Sequence, residues 1–156
     1  MKLNWKALIV SIIIPLAVGL LSSLFTSDSM QNFDMIIKPP LSPPGWLFPV
    51  VWTILYTLMG IASYLVYASN APKDKVATAL IFYGIQLVVN FFWSLIFFNL
   101  EAYLFAFFWL VLLWVLIFAT TILFWHINRS AGILLIPYLL WVTFAGYLNY
   151  AIYLLN

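Results

Sequence analysis

Residues 38–52 read KPPLSPPGWLFPVVW and hold five of the chain's eight prolines. Each proline fixes its own φ and steers the residue before it away from the α-helical region. We therefore expect residues 38–44 to be extended and stiff, whereas Pro49 fits the first turn of a helix. Apolar segments of membrane-spanning length lie on both sides of this stretch, so it separates the first two helices of the fold.

Hydrophobic length predicts the rest of the architecture, because a helix needs about 20 apolar residues to cross a bilayer. The sequence supplies five such runs, at 7–25, 48–67, 76–98, 103–125 and 131–155. Only 6% of the 156 residues are charged, against roughly one quarter in a soluble domain. We expect an all-α membrane protein of one domain, residues 1–156, a five-transmembrane-helix bundle with a proline-rich loop between helices 1 and 2.

The first run begins after two lysines, as a signal peptide would. No clear small-x-small cleavage site follows its long apolar region, so we predict a retained helix. Small residues and one proline recur on one of its faces, at Ser11, Pro15, Gly19 and Ser22 or Ser23. Such a face lets a neighbouring backbone approach closely, and we expect it to pack against another helix.

The positive charges are unequally divided between the two sides of the predicted bundle. One side holds the N-terminus and most of the cations, whereas the other holds only Lys38; the first group is Lys2, Lys6, Lys73, Lys75 and Arg129. The positive-inside rule then places the N-terminus in the cytoplasm and the proline-rich loop and C-terminus outside a plasma membrane.

Polar and aromatic side chains recur at helical spacing in three of the spans. They are Trp52, Tyr56, Gly60 and Ser63 or Tyr64 in the second, Tyr83, Gln86, Asn90, Trp93, Ser94 and Phe97 in the third, and Tyr138, Trp141, Ala145, Asn149 and Tyr153 in the fifth. Taken singly, these groups are typical of hydrogen bonding between membrane helices. Taken together, three such faces predict a concave aromatic pocket with few polar anchors, which suits a large apolar ligand.

Signatures of conventional catalysis are poor. The chain has no cysteine, and its only histidine, His126, sits at a span end without the partners of a metal site or a triad. None of the four carboxylates is predicted deep in a span, so we assign no catalytic and no metal-binding residues. The net charge of +2 is too small and scattered to indicate a nucleic-acid partner.

Several motifs carry a resemblance to a known family. They are KP at 38–39, PPGW at 43–46, PVVWTILY at 49–56, MG at 59–60, QLVVNFFWS at 86–94 and PYLLW at 137–141, with Ala145 and LN at 148–149. In this order they resemble the TspO/MBR family, the tryptophan-rich sensory and translocator proteins that include the peripheral benzodiazepine receptor. The resemblance covers almost the whole chain.

That resemblance implies a homodimeric five-helix bundle that binds porphyrins such as protoporphyrin IX. The ligand-facing positions that it carries over are Trp46, Trp52, Tyr56, Asn90, Trp93, Trp141, Ala145 and Asn149, to which the helical spacing adds Tyr138. We expect no required cofactor, with porphyrin as ligand and membrane lipid as surroundings. The family's cholesterol pattern needs a basic residue after a tyrosine of the last helix, and Tyr150 and Tyr153 have none.

Three functions follow as hypotheses. The first is a membrane receptor or sensor in which Trp52, Trp93 and Trp141 stack on the macrocycle, Asn90 and Asn149 orient its polar edges, and the proline-rich loop forms a lid with Trp46 and Phe48 pointing into the pocket. The second is light- and oxygen-dependent porphyrin degradation, in which Trp52 and Trp141 take part. The third is transport of tetrapyrroles across the membrane, or a scaffold for partner proteins. Lys38 is the one basic residue on the side of the proline-rich loop that could pair with the porphyrin propionates. Haem iron would lack an axial ligand.

Overall fold

The structure, a computed structural model, describes residues 2–156. Six α-helices follow one another along this part of the chain. They are α1 (Trp5–Thr26), α2 (Met30–Met35), α3 (Leu47–Tyr67), α4 (Lys73–Ser94), α5 (Tyr103–Ile127) and α6 (Arg129–Leu155). A 3-10 turn at Ser27–Ser29 joins α1 to α2, and a π-helical segment, Leu95–Asn99, continues α4.

Five helical segments within residues 2–156 are long and apolar enough to cross a membrane. They are Trp5–Met35, Leu47–Tyr67, Lys73–Asn99, Tyr103–Ile127 and Arg129–Leu155. The predicted all-α architecture with five spans is therefore confirmed. The observed α1 and α6 each begin two residues before the predicted runs, because Asn4 and Asn128 cap them: their side chains accept hydrogen bonds from Ala7 N and Ala131 N, both at 3.1 Å.

The segment after α1, which the sequence assigned wholly to a break, contains helical structure. Hydroxyl groups satisfy carbonyls in the last turn of α1, since Thr26 Oγ1 donates to Ser22 O and Ser27 Oγ donates to Leu24 O. The short helix α2 then inserts Phe33 against Phe98 at a centroid distance of 5.2 Å. The helix α2 is too short to be predicted from the sequence, and the tertiary packing of one phenylalanine orders it.

The connection from α2 to α3, residues 36–46, is called the strap below. It was expected to be extended over residues 38–44, but a turn interrupts it: Ser42 N donates to Pro39 O at 3.3 Å, and Leu41 has a φ of 71°. Proline at the second position and a positive φ at the third are the features of a type II turn. Pro40 sets up this turn, and the strap therefore doubles back where a straight spacer was expected.

Around the bundle, α1 packs beside α3, α3 beside α6, α6 beside α5 and α5 beside α4, while α4 returns to α1. The crossing of α1 and α3 is very close, because a Cβ built on Gly60 would lie 2.5 Å from Ile12 Cα and 2.7 Å from Ser11 O. The expected small face of α1 is the surface on which α3 lies, and Ser11 belongs to it. This crossing fixes how α3 is rotated toward the bundle interior.

Different hydrogen bonds between segments are found at the two ends of the bundle. At the strap end, Asn99 joins the end of the π-helical segment to α1, donating to Phe25 O at 2.9 Å and accepting from Ser29 Oγ at 2.7 Å. At the opposite end, Asn4 N donates to the hydroxyl of Tyr64 at 2.9 Å. We call these the strap end and the N-terminal end.

Candidate functional site

A cavity of about 390 Å³ opens beneath the strap at the strap end of the bundle. Every described helix except α5 contributes to it, together with the strap and the π-helical segment. Its lining includes Leu16, Gly19, Ser22, Thr26, Met30, Phe33, Asp34, Ser42, Gly45, Phe48, Pro49, Trp52, Tyr56, Trp93, Ser94, Phe97, Phe98, Trp141, Ala145, Asn149 and Ile152. Its size lies within the usual range of small-molecule sites, and its lining is mainly apolar and aromatic.

Aromatic rings form the walls of this cavity. Trp52 stacks on Tyr56 along α3 with centroids 5.5 Å apart and planes inclined at 30°. Trp141 of α6 meets Phe48 edge-on at 6.0 Å, which joins the start of α3 to the far wall. The sequence had placed Trp52, Tyr56 and Trp141 on faces of one pocket, and the structure brings all three to the same cavity.

A third wall is held by a hydrogen bond between helices. Trp93 of α4 donates its indole N–H to Asn149 Oδ1 at 3.1 Å, and Asn149 Nδ2 donates to Tyr103 O at 2.8 Å. Trp93 also stacks on Phe97 at 5.3 Å, inside the π-helical segment. Asn149 therefore ties α4, α5 and α6 together at the level of the cavity, and both ends of its amide are occupied by the protein.

Asn90 and Tyr138 lie below the cavity and do not line it. Asn90 Nδ2 donates to the Tyr138 hydroxyl at 2.9 Å, and that hydroxyl donates to Gln86 Oε1 at 2.6 Å. All three side chains are almost completely buried. They lie too deep in the bundle to reach the cavity. Asn90 is three residues before Trp93 in α4, and Tyr138 is three residues before Trp141 in α6, so each lies about 4.5 Å farther from the strap. The Tyr138 ring backs Trp52 at 6.1 Å, so it supports the wall from behind.

Trp46 lies outside the cavity, with 68% of its surface exposed. Phe48, Trp52 and Tyr56 share one face of α3 at steps of four residues, whereas Trp46 is two residues from Phe48 and so about 200° away around the helix axis. Of the two rings expected to point inward from the lid, Phe48 does so and Trp46 does not. Ala145 lies on the wall as expected, beside Trp141 and Asn149.

Several lining residues were missed by the sequence reasoning. Phe33 and Asp34 come from the unexpected helix α2, and Phe98 from the π-helical segment. Gly19 had been expected only to pack, but its face also reaches the cavity: a Cβ there would lie 2.5 Å from Tyr56 Cε2. That glycine leaves room for the Tyr56 ring beside α1. The helical spacing of small residues in α1 was the sequence signal that could have identified Gly19 as a lining residue.

Charge is confined to the mouth of the cavity. Asp34 lines it, and Lys38 sits nearby, with Nζ 3.2 Å from the backbone oxygen of Asp34 and 4.9 Å from the centroid of the Phe33 ring. Among residues 2–156, no group of three His, Cys, Asp or Glu side chains is placed to hold a metal ion. The site as built can stack on and enclose a flat apolar molecule, and it offers one cation and one anion at its rim.

Comparison with known proteins agrees with this architecture. The model of the TspO/MBR family matches residues 11–155. The tryptophan-rich protein TspO of Chlorobaculum tepidum is 41% identical over 142 residues, covering 90% of each chain. The protein CrtK of Rhodobacter capsulatus is 40% identical and covers 80% of this chain and 78% of its own. The TspO protein of Archaeoglobus fulgidus is 39% identical over 99% of both chains. The chain is an integral membrane protein that belongs to the TspO/MBR family.

Proposed function

We propose that this protein is a membrane receptor for a planar tetrapyrrole of the protoporphyrin IX type, bound in the cavity beneath the strap. The observation that carries the proposal is the convergence of Trp52, Trp93 and Trp141 from three helices on one cavity of about 390 Å³. Flat π systems gain from offset stacking on aromatic faces, at about 0.5–1.5 kcal/mol for each pair beyond the burial of area. Three indole walls suit such a ligand better than an aliphatic chain.

We place the propionates of the ligand at the mouth of the cavity. Lys38 is the cation nearest to the rim, and propionates that protrude from the cavity would pair with it. Asn149 and Asn90 are engaged with Trp93 and Tyr138, so their role in this proposal is to orient the aromatic walls. We assign the indole rings of Trp52 and Trp141 to stacking on the faces of the macrocycle. A metal-free macrocycle suits this set of side chains, since His126 sits at the N-terminal end of the bundle, in the last turn of α5.

Binding is tested by titrating protoporphyrin IX into the purified protein in lipid nanodiscs and following the Soret band. The Trp52→Ala, Trp141→Ala double variant removes two walls, and we expect at least a tenfold loss of affinity, corresponding to about 1.4 kcal/mol. Trp5→Phe is the matched control, because Trp5 is 65% exposed at the N-terminal end. Equal affinity in the double variant and the wild type would contradict the site.

Light-dependent breakdown of the bound porphyrin is the second candidate function. Trp52 and Trp141 both line the cavity, so two oxidisable indoles would lie beside a photoexcited macrocycle in the presence of oxygen. The test is the decay of porphyrin absorbance under illumination in air and under argon, with Trp52→Phe, Trp141→Phe protein and protein-free solution as controls. Decay equal to that in protein-free solution removes this candidate.

For the orientation we propose a cytoplasmic N-terminus and a strap that faces outward across a plasma membrane. Lys73 and Arg129 begin helices at the N-terminal end, where Lys2, Lys6 and Lys75 also lie, whereas Lys38 is the one cation among the described residues at the strap end. This distribution supports the positive-inside assignment. The chain has no native cysteine, so Leu41→Cys and Asn70→Cys give single labelling sites. An impermeant maleimide on intact cells should label the first and spare the second; the reverse pattern would overturn the orientation.

A further inference from the structure

The strap is joined to the end of α6 by a paired amide contact. Ile37 N donates to Asn156 Oδ1 at 3.0 Å, and Asn156 Nδ2 donates back to Ile37 O at 2.8 Å. One carboxamide therefore satisfies both backbone groups of a single strap residue, much as a neighbouring strand would. The same Nδ2 is 2.9 Å from Ile152 O, which holds the amide against its own helix.

A second contact fixes the strap at its turn. The hydroxyl of Tyr147 donates to Pro40 O at 2.9 Å, inside the turn formed by Pro39–Ser42. Tyr147 and Asn156 are nine residues apart, so the two anchors are spaced by about 13 Å along the axis of α6. The strap is thus held at two separate points by side chains of one helix.

Apolar packing holds this segment mainly at its start. Within the strap, Ile36 packs half-buried against the core and Pro39 is buried, whereas Ile37 is 62% exposed and Leu41 is 80% exposed. Beyond the turn, Ser42 and Gly45 line the cavity. A segment with few buried apolar contacts opens locally at low cost, so its hydrogen bonds decide how long it stays closed.

We infer that Asn156 and Tyr147 are positioning residues that hold the strap over the cavity and thereby set the rate at which molecules enter from the aqueous side. The inference rests on the proposed function only for the identity of the ligand, because the closure itself is a property of the strap. Neither side chain lines the cavity. Their loss should speed exchange into and out of the site and change the equilibrium affinity much less.

The first experiment needs no porphyrin. Because the chain lacks cysteine, Ala145→Cys places one thiol on the cavity wall, and its reaction rate with a small charged methanethiosulfonate reports access from water. Adding Asn156→Ala and Tyr147→Phe should raise that rate about tenfold, the scale expected for losing a few net hydrogen bonds. Asn70→Ala with Tyr67→Phe is the matched control, since these side chains are exposed at the opposite end. Asn156→Asp, which keeps the acceptor and loses the donor, should give an intermediate rate.

The second experiment closes the strap covalently. Ile37→Cys and Asn156→Cys, joined by a short bifunctional thiol reagent, should slow the release of protoporphyrin IX several-fold relative to the same protein left unjoined. Release at the unjoined rate would overturn the gate and indicate passage between α1 and α3, where Leu20 and Thr53 line the cavity and are also exposed.

The outcomes separate the two proposals. If wild-type protein does not bind protoporphyrin IX, the proposed function fails, and the thiol reaction still decides whether the strap is a gate. An unchanged thiol reaction rate in the Asn156→Ala, Tyr147→Phe protein overturns the positioning role even if porphyrin binds. A faster thiol reaction together with slower release from the joined protein supports both.

Discussion

Trp93 of α4 and Asn149 of α6 are joined by an indole N–H that donates to a carboxamide oxygen at 3.1 Å. Asn149 uses its other end to donate to Tyr103 O at 2.8 Å. The indole is mostly buried and the amide almost completely so, so the loss of either partner leaves a buried polar group without a direct replacement in the protein. The pair therefore couples the stability of the bundle to the shape of the proposed site.

We expect Asn149→Leu to destabilise the protein more than Trp93→Phe does. The leucine leaves the buried Trp93 N–H without a partner, at about 1–3 kcal/mol for an unsatisfied buried group, and it also removes the additional hydrogen bond to the Tyr103 carbonyl. Thermal unfolding in detergent of the two single variants and the double variant closes a cycle. The coupling should be about 0.6 kcal/mol and at most about 1.7 kcal/mol, which are the average and the largest value from double-mutant cycles of interhelical hydrogen bonds in a membrane protein. Additive losses would show that the pair contributes only packing.

The close crossing of α1 and α3 gives a second prediction. Gly60→Ala puts a methyl group 2.5 Å from Ile12 Cα and 2.7 Å from Ser11 O, and backbone atoms cannot swing aside as a side chain can. We expect a loss of about 1–3 kcal/mol in stability, as for overpacked cores, seen as a lower unfolding temperature. Gly84→Ala in α4 is the control, because nothing lies within 4 Å of its Cβ position. Alanine there should be neutral or stabilising by up to about 1 kcal/mol.

Hydrophobic length and helical spacing were sufficient to predict most of this fold. Apolar runs gave five spans within a few residues, since the bilayer requires a length that few soluble segments reach. The spacing of Trp52 and Tyr56, and of Trp141, Ala145 and Asn149, placed these side chains on common faces, and the structure brings them to one cavity. The period of 3.6 residues is enough for that inference once a helix is known to be buried on one side.

Depth and rotation at the helix ends were not predicted. Periodicity places Asn90 on the inner face of α4, but it cannot say how far down the cavity reaches, so Asn90 and its partner Tyr138 were counted as lining. Trp46 comes from the family resemblance as a ligand-facing residue, but its angle around the helix axis leaves it exposed outside the cavity. The helix α2 depends on Phe33 meeting Phe98, a contact between residues 65 apart that no local pattern records.

The charges at the cavity mouth give a third prediction. Asp34 lines the rim and Lys38 lies beside it, so a dianionic porphyrin is repelled by the first and attracted by the second. Asp34→Asn should raise the affinity for protoporphyrin IX and Lys38→Met should lower it. Each change should be about two- to fivefold, because exposed charges interact weakly, at about 0.2–1 kcal/mol.

Protoporphyrin dimethyl ester provides the control for this charge effect. Both variants should bind it as the wild type does, and added salt should shrink the differences seen with the free acid. Equal effects on the acid and the ester would mean that the substitutions act through the strap or α2 and not through charge.

We expect the substitution of tyrosine by phenylalanine to have opposite effects on stability at two buried positions. Tyr138 exchanges hydrogen bonds with Gln86 and Asn90, whereas the buried hydroxyl of Tyr83 lies near Ser63 but makes no well-formed hydrogen bond within residues 2–156. Tyr138→Phe should therefore cost about 1–3 kcal/mol, since it strands two buried amide groups. Tyr83→Phe should be neutral or stabilising, because it removes a buried polar group that has only a poorly formed contact with Ser63 to offset its burial.

Thermal unfolding of the two tyrosine variants in the same detergent decides between these expectations, and the Tyr138→Phe protein carries a further readout. The Tyr138 ring backs Trp52 at 6.1 Å, and phenylalanine preserves that ring, so ligand affinity should fall much less than stability. A large loss of affinity at unchanged stability would instead place the Tyr138 hydroxyl in contact with the ligand. Similar unfolding temperatures for both variants would show that the Gln86–Tyr138–Asn90 network adds nothing beyond the packing of its side chains.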